Sequence, residues 1–249
     1  MPKRQTKDIP LTPLNRGKLG QLVVSQIKSL IFSEGIQIGE KLPSEREFAE
    51  QLKVSRSVVR EALNTLEQSG LIEIRRGRGA GAYVVDHLHK PLLSSTVDLM
   101  KSGKIDVRQF LEARKAIECF SLRAIAEKIT EEDLKKLEVV NGRFLSNLND
   151  GLTSLEANSA FHLALSELSG NPLMTVMLHS LLDLMAEMRF RNPKGASFRK
   201  AVCKAHQDIV DAMREKDWDR CELLLAANID QSRELEMREK RKGSRSKSS

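Results

Sequence analysis

The sequence predicts a mainly α-helical protein with two parts. The first is an N-terminal winged helix-turn-helix of three helices plus a β-hairpin wing, and the second is an all-helical bundle. Three observations carry this. Two helix-start signals stand close together at Ser44 and Ser55. An Arg/Gly-rich tip lies between two short alternating stretches, Leu71–Ile74 and Ala82–Val85. After about residue 105, apolar residues recur at helical spacing alone.

The first helix is expected from Leu19 to Phe32, where apolar residues at 19, 22, 23, 27, 30 and 31 share one face; Gly35 stops it. Pro43 followed by Ser44 starts the second, with Ser44 as N-cap and Glu47 as its capping-box partner. That helix is short, because Lys53-Val54-Ser55 follows and Ser55 caps the third. The third helix buries Val58, Val59, Ala62, Leu63 and Leu66 and ends at Gly70. Two short helices joined by a tight turn make a helix-turn-helix. Arg56 and Arg60, one turn apart near the start of the third helix, project from one face. A recognition helix reads base edges with its N-terminal residues, and an arginine fork can bond guanine O6 and N7 together. Ser55, Ser57 and the first amides of the helix suit phosphates. The hairpin tip, Arg75 to Gly81, puts three arginines among three glycines, so its backbone can approach a groove closely.

Charge follows the same division. The whole chain carries +7 over 249 residues. Residues 1–90 hold 15 Lys/Arg against 10 Asp/Glu, residues 91–232 hold 19 against 21, and residues 233–249 hold 7 against 3. The positive charge therefore sits at the two ends, which suits a polyanionic partner. Three widely spaced cysteines, Cys119, Cys203 and Cys221, argue against a disulfide framework and for the cytoplasm. No apolar run approaches the roughly 18 residues of a membrane span, and the first residues lack a hydrophobic signal core. A secreted miniprotein and a membrane protein are thereby set aside. The expected layout is a flexible leader over 1–13, the DNA-binding domain over 14–85 and a linker over 86–104 with room for one short helix. A helical domain follows over 105–237, then a basic disordered tail over 238–249.

The runs Leu42-Pro43-Ser44-Glu45-Arg46-Glu47 and Val54-Ser55-Arg56-Ser57-Val58-Val59-Arg60-Glu61-Ala62-Leu63, then Leu66-Glu67 and Gly70-Leu71, resemble the GntR family of bacterial transcription regulators. The resemblance covers about residues 14–85. It implies operator contacts from Arg46, Ser55, Arg56, Ser57 and Arg60, with Arg76 and Gly77 of the wing tip in the minor groove. Arg78 extends that tip.

Helices are expected at about 105–128, 131–149, 153–169, 172–189, 197–215 and 217–238. Caps are expected at Thr130 with Asp133, at Asn171 before Pro172, and at Asp217. This all-helical region resembles the FCD effector domain of the same family, through Phe110 to Arg114, Asn158 with Phe161-His162, Ser169 to Leu173, and Ala205-His206. In many such domains an Asp and three His hold a divalent metal. Here the matching positions are Asn158, His162, His206 and Asn228. The resemblance implies an effector pocket from these four, with Arg114 holding a carboxylate. Amide oxygens are weaker ligands than a carboxylate and carry no charge. Two readings stay open: a zinc or nickel site on His162 and His206 with Asn158 and Asn228 as further donors, or a polar cavity that binds the effector directly. Beyond that pocket, His179 reads as core or interface.

The expected function is a homodimeric, ligand-responsive regulator, more a repressor than an activator. Its partners are a pseudopalindromic double-stranded operator and a small organic acid or acyl metabolite, with no membrane. The alternatives are a metal-dependent enzyme or metal-sensing regulator using His162 and His206, and a non-specific DNA binder using the tail. The enzyme would need a third ligand, an open coordination position and a general base; the sequence offers no convincing base and no catalytic motif.

Overall fold

The computed structural model describes residues 16–33, 35–146, 151–189 and 196–230. The expected leader and basic tail lie outside the described residues. The chain divides into two compact units between Leu88 and His89.

In the first unit, α1 (Arg16–Ser33) buries Val23, Ile27 and Ile31, one turn apart along a single face. α2 (Glu45–Leu52) opens on the expected capping box. The Ser44 hydroxyl accepts from the Glu47 amide, and the Glu47 carboxylate accepts from the Ser44 amide. Lys53, in the left-handed region at φ +52°, ends α2, and Ser55 caps α3 (Arg56–Gln68). Phe48 and Ala49 of α2 meet Val59, Ala62, Leu63 and Leu66 of α3 in one core with the buried residues of α1. Two four-residue strands follow, β1 (Ile72–Arg75) and β2 (Gly81–Val84), antiparallel with Ile72 opposite Val84. Ile72, Ala82 and Val84 point into the same core.

The base of this hairpin is tied down on both sides. The Gly39 amide donates to Val84 O at 2.8 Å and the Leu42 amide to Ala82 O at 2.8 Å, while the Val84 amide donates to Glu40 O at 2.9 Å. Opposite, the Ile74 amide donates to the Glu67 carboxylate at 2.8 Å. Gly70 joins α3 to β1 at φ +75°, and a Cβ there would stand 2.1 Å from His87 O. The left-handed backbone disfavours a side chain, and the close approach to a backbone oxygen excludes one.

The second unit opens on α4 (His89–Lys101), a helix of 13 residues that packs on residues 172–189 and fills most of 86–104, expected as a linker with room for one short helix. α5 (Val107–Ile125) starts at an Asp106–Gln109 capping box. Next come α6 (Glu131–Ser146), α7 (Gly151–Leu168), α8 (Pro172–Arg189), α9 (Ala196–Arg214) and α10 (218–230). The expected caps form: Thr130 and Asp133 bond reciprocally, and the side chains of Asn171 and Asp217 accept from amides of the helices they precede. α6 packs on α7 and α9, and α5 on α7 and α8. Phe110, Leu122, Leu137, Phe161, Leu165, Ile209, Leu225 and Ile229 lie at the centre of the bundle. All three cysteines are free, and burial pushes the thiols of Cys203 and Cys221 up to about 11, so neither is a ready nucleophile.

Candidate functional site

The first unit presents two basic elements. At the start of α3, Arg56 and Arg60 lie on one exposed face, as their spacing requires. They are not idle. Arg60 Nε and Nη2 donate to the two oxygens of Glu45 at 2.9 and 2.7 Å, and Arg56 Nη2 stands 3.8 Å from the same carboxylate. The hydrogen bonds from Arg60 hold the Glu45 carboxyl below its usual range, against the opposing effect of partial burial. The fork that would read a guanine is thus filled, without DNA, by the first residue of α2. Glu45 escaped the sequence reading, although its place in the first turn beside the recognition helix was visible. Ser57 and Ser55 share a hydrogen bond of 2.8 Å, and the Ser55 hydroxyl accepts from the Val58 amide. Arg46 is exposed and paired weakly with Glu50 at 3.8 Å.

The wing tip is a tight turn in which the Ala80 amide donates to Gly77 O at 3.0 Å, with Gly77 and Gly79 at φ +80° and +87°. Tyr83 OH bonds Gly79 O at 2.7 Å and braces the turn. Arg75 is spent on structure, lying 4.2 Å over the Tyr83 ring and bonding Glu73. Arg76 and Arg78 project from the exposed tip.

The second unit carries a buried polar cluster. Arg114 on α5 is 1% exposed and Glu118, one turn on, is fully buried. Arg114 Nε donates to Glu118 Oε1 at 2.5 Å, and Nη1 points at the Met185 sulfur at 3.0 Å, a weak acceptor. Arg114 Nη2 is buried with no hydrogen-bond partner among the described residues. Glu118 Oε2 accepts from His162 Nδ1 at 2.6 Å. Burial works to raise the Glu118 pKa, but Arg114 and His162 overcome it and bring the group to about 2. His206 on α9 donates from Nδ1 to the Asn141 oxygen at 3.3 Å. The amide of Asn141 is itself oriented by its bond to Cys203 O. Burial, with the nearby charges of His162 and Arg114, pushes the His206 pKa well below 6.5 and keeps the ring neutral. Its ring stacks on Phe161 at 4.0 Å and meets His162 edge-on at 5.1 Å.

Of the sequence-predicted pocket residues, Arg114, His162 and His206 join one cluster. Asn228 is buried on α10, and Asn158 is half-buried on α7, one turn before His162. The four-residue spacing of Arg114 and Glu118 is that of an ordinary surface bridge; in the structure the pair is sealed in the core. Asn141 and Met185 gave no sequence signal. The side chains here do not fit a resident divalent metal. Imidazoles and amides bring no negative charge, the one carboxylate is engaged by Arg114 and His162, and a guanidinium sits within the cluster.

Residues 19–81 match the family model of bacterial regulatory proteins of the gntR family, and residues 109–231 match the FCD domain. HTH-type transcriptional regulator LutR of Bacillus subtilis is 33% identical over 198 residues, covering 77% of this chain and 89% of that protein. HTH-type transcriptional repressor NanR of Cronobacter sakazakii is 30% identical over 221 residues, covering 87% and 85% respectively. A solved GntR protein of Streptococcus agalactiae superposes with a TM-score of 0.61 at 26% identity, covering 86% of this chain and 99% of that one. These relatives are regulators, not enzymes. The helix-turn-helix geometry and these matches agree: the chain belongs to the GntR family of DNA-binding transcription regulators, with an FCD domain as its second unit.

Proposed function

We propose that the protein is a cytoplasmic, dimeric repressor that leaves its operator when a small carboxylate or acyl metabolite binds the Arg114 cluster. Two copies would read a pseudopalindromic site, each with Arg46, Ser55, Arg56, Ser57 and Arg60 at α2 and α3 and with Arg76 and Gly77 of the wing. Exposed apolar side chains on the second unit, Phe120, Leu173 and Leu223, supply surface for pairing. No helix among the described residues is long and apolar enough to cross a membrane.

The observation that carries the effector assignment is Arg114. Glu118 takes Nε, while Nη1 has only a thioether and Nη2 has no acceptor among the described residues. A buried donor without an acceptor costs about 1–3 kcal/mol, and a carboxylate placed end-on across Nη1 and Nη2 removes that cost with two charge-assisted bonds. His206, neutral, and Asn158 and Asn228 supply further polar contacts. An effector shifts the regulator only by binding its DNA-free form more tightly.

The test is a thermal-shift screen of small carboxylates, sugar acids and acyl-CoA compounds, followed by operator gel shifts with each hit. The expected hit raises Tm, releases operator, and loses both effects in Arg114→Lys, which keeps the charge but not the fork. If no compound of these classes shifts Tm or operator binding, or if Arg114→Lys responds like the wild type, the assignment fails.

A further inference from the structure

We infer that His89, His179 and Asp183 form a divalent transition-metal site separate from the Arg114 cluster. His179 and Asp183 lie one turn apart on α8 and so share a face. α4 packs on α8 and brings His89, its first residue, to the same carboxylate. His89 Nε2 is 3.1 Å from Asp183 Oδ2, and His179 Nε2 is 3.8 Å from Oδ1. The two imidazoles stack at 3.6 Å with planes 20° apart, and one donor atom from each residue falls within 4.8 Å of the others. Among the described residues this is the one group of three His, Cys, Asp or Glu with donors so gathered.

The distances suit an ion. Zinc–nitrogen and zinc–oxygen bonds of about 2.0–2.2 Å in a tetrahedron separate neighbouring donors by roughly 3.3–3.5 Å. The two Nε2-to-carboxylate gaps bracket that range, and turning the stacked rings out of parallel would aim both Nε2 atoms at one ion. Two imidazoles and one carboxylate favour zinc, cobalt or nickel over magnesium and calcium, which take oxygen ligands. Unlike the Arg114 cluster, this group offers a carboxylate held by no Lys or Arg among the described residues and therefore able to offset part of the ion's charge. His89 is 6% exposed, while the side chains of His179 and Asp183 are about one-third exposed. One side of the site is therefore fixed, and the other is open for entry and for a water at the remaining position. A bound ion would clip the first turn of α4 to the middle of α8.

The full-length protein, stripped with a chelator, is titrated with Co²⁺ and followed by its visible ligand-field bands. Zn²⁺ then competes. One equivalent of Co²⁺ per chain is expected in the wild type, with affinity lowered at least tenfold in His179→Ala and in Asp183→Asn. Asp183→Asn nearly preserves size and removes only the charge, and both side chains are partly exposed, so folding is retained. Zn²⁺ should raise Tm in the wild type more than in Asp183→Asn. Absence of Co²⁺ binding in the wild type overturns the site. Equal affinity and an equal spectrum in all three proteins also overturn it, placing the metal elsewhere. Neither result touches the effector assignment at Arg114.

Discussion

Removing Arg114 should destabilise the second unit more than most substitutions could, for a reason that a second substitution can expose. In Arg114→Met the new side chain fills similar space beside Met185, but Glu118 stays fully buried and loses its main counter-charge. The native environment brings Glu118 from 4.5 to about 2 despite burial, a gap worth about 3 kcal/mol at neutral pH. Breaking one side of a buried pair costs about 3–5 kcal/mol, because the remaining charge must be buried alone or protonated. That is a large share of the roughly 5–15 kcal/mol that holds a typical protein folded. Urea unfolding, followed by the fluorescence of the single tryptophan, Trp218 of α10, reads this unit directly at fixed chain concentration. Adding Glu118→Gln removes the stranded charge while keeping an acceptor for His162 Nδ1. It should recover at least about 2 kcal/mol of the loss. If Arg114→Met costs less than about 1 kcal/mol, or the double variant is no more stable than the single, the buried-charge argument is wrong.

Acid should act on the same cluster in two stages. His206 has its pKa lowered, so the unfolded chain binds a proton that the folded one does not, and stability falls once the pH drops below about 6.5. Glu118 adds its full contribution above 4.5 and loses it as the pH falls toward 2. Urea midpoints against pH should lose the upper part of this slope in His206→Gln; an unchanged slope would assign it to another group. Gly70→Ala should cost at least about 2 kcal/mol, adding a backbone clash at His87 to the roughly 1–2 kcal/mol of left-handed strain. Gly39→Ala, at φ +92° in open space, should cost only the strain, and equal losses in denaturant melts would discard the contact. Arg60→Ala should lose about 1–3 kcal/mol of operator discrimination. Glu45→Gln, which releases both arginines, should tighten binding to any duplex severalfold in fluorescence anisotropy. Weaker binding would mean that Glu45 positions the arginines for DNA instead of competing with it.

Local chemistry was the legible part of this sequence. Ser44 with Glu47, Ser55, Thr130 with Asp133, Asn171 and Asp217 each cap a neighbour a few residues away, so their helices could be read directly. The stretch 86–104 holds a longer helix than its sequence suggests, because Pro91 and the serines look like loop. Pro91 falls in the first turn of α4, where no amide bond is lost. Ser95 and Thr96 return their hydroxyls to the carbonyls of Pro91 and Leu92 at 3.1 and 2.7 Å. The pairings that give the sites their character are tertiary. Glu45 reaches Arg60 from another helix, Glu118 of α5 reaches His162 of α7, and His89 of α4 reaches Asp183 of α8. No spacing rule joins residues so far apart, and for the same reason burial turned the Arg114–Glu118 bridge from an ordinary surface pair into the centre of the pocket.

The bonds around the hairpin have a consequence for association. A sheet of two four-residue strands has two open edges, each a row of donors and acceptors onto which another chain can add a strand. Here residues 39–42 occupy the β2 edge, and on the β1 side the Glu67 carboxylate takes the outward amide of Ile74. This two-stranded sheet is therefore closed to strand addition on its β2 side and blocked at Ile74 on the other. Losing the Glu67 carboxylate would do more than loosen the wing. It would open a templating edge in a protein that must stay soluble while it searches DNA.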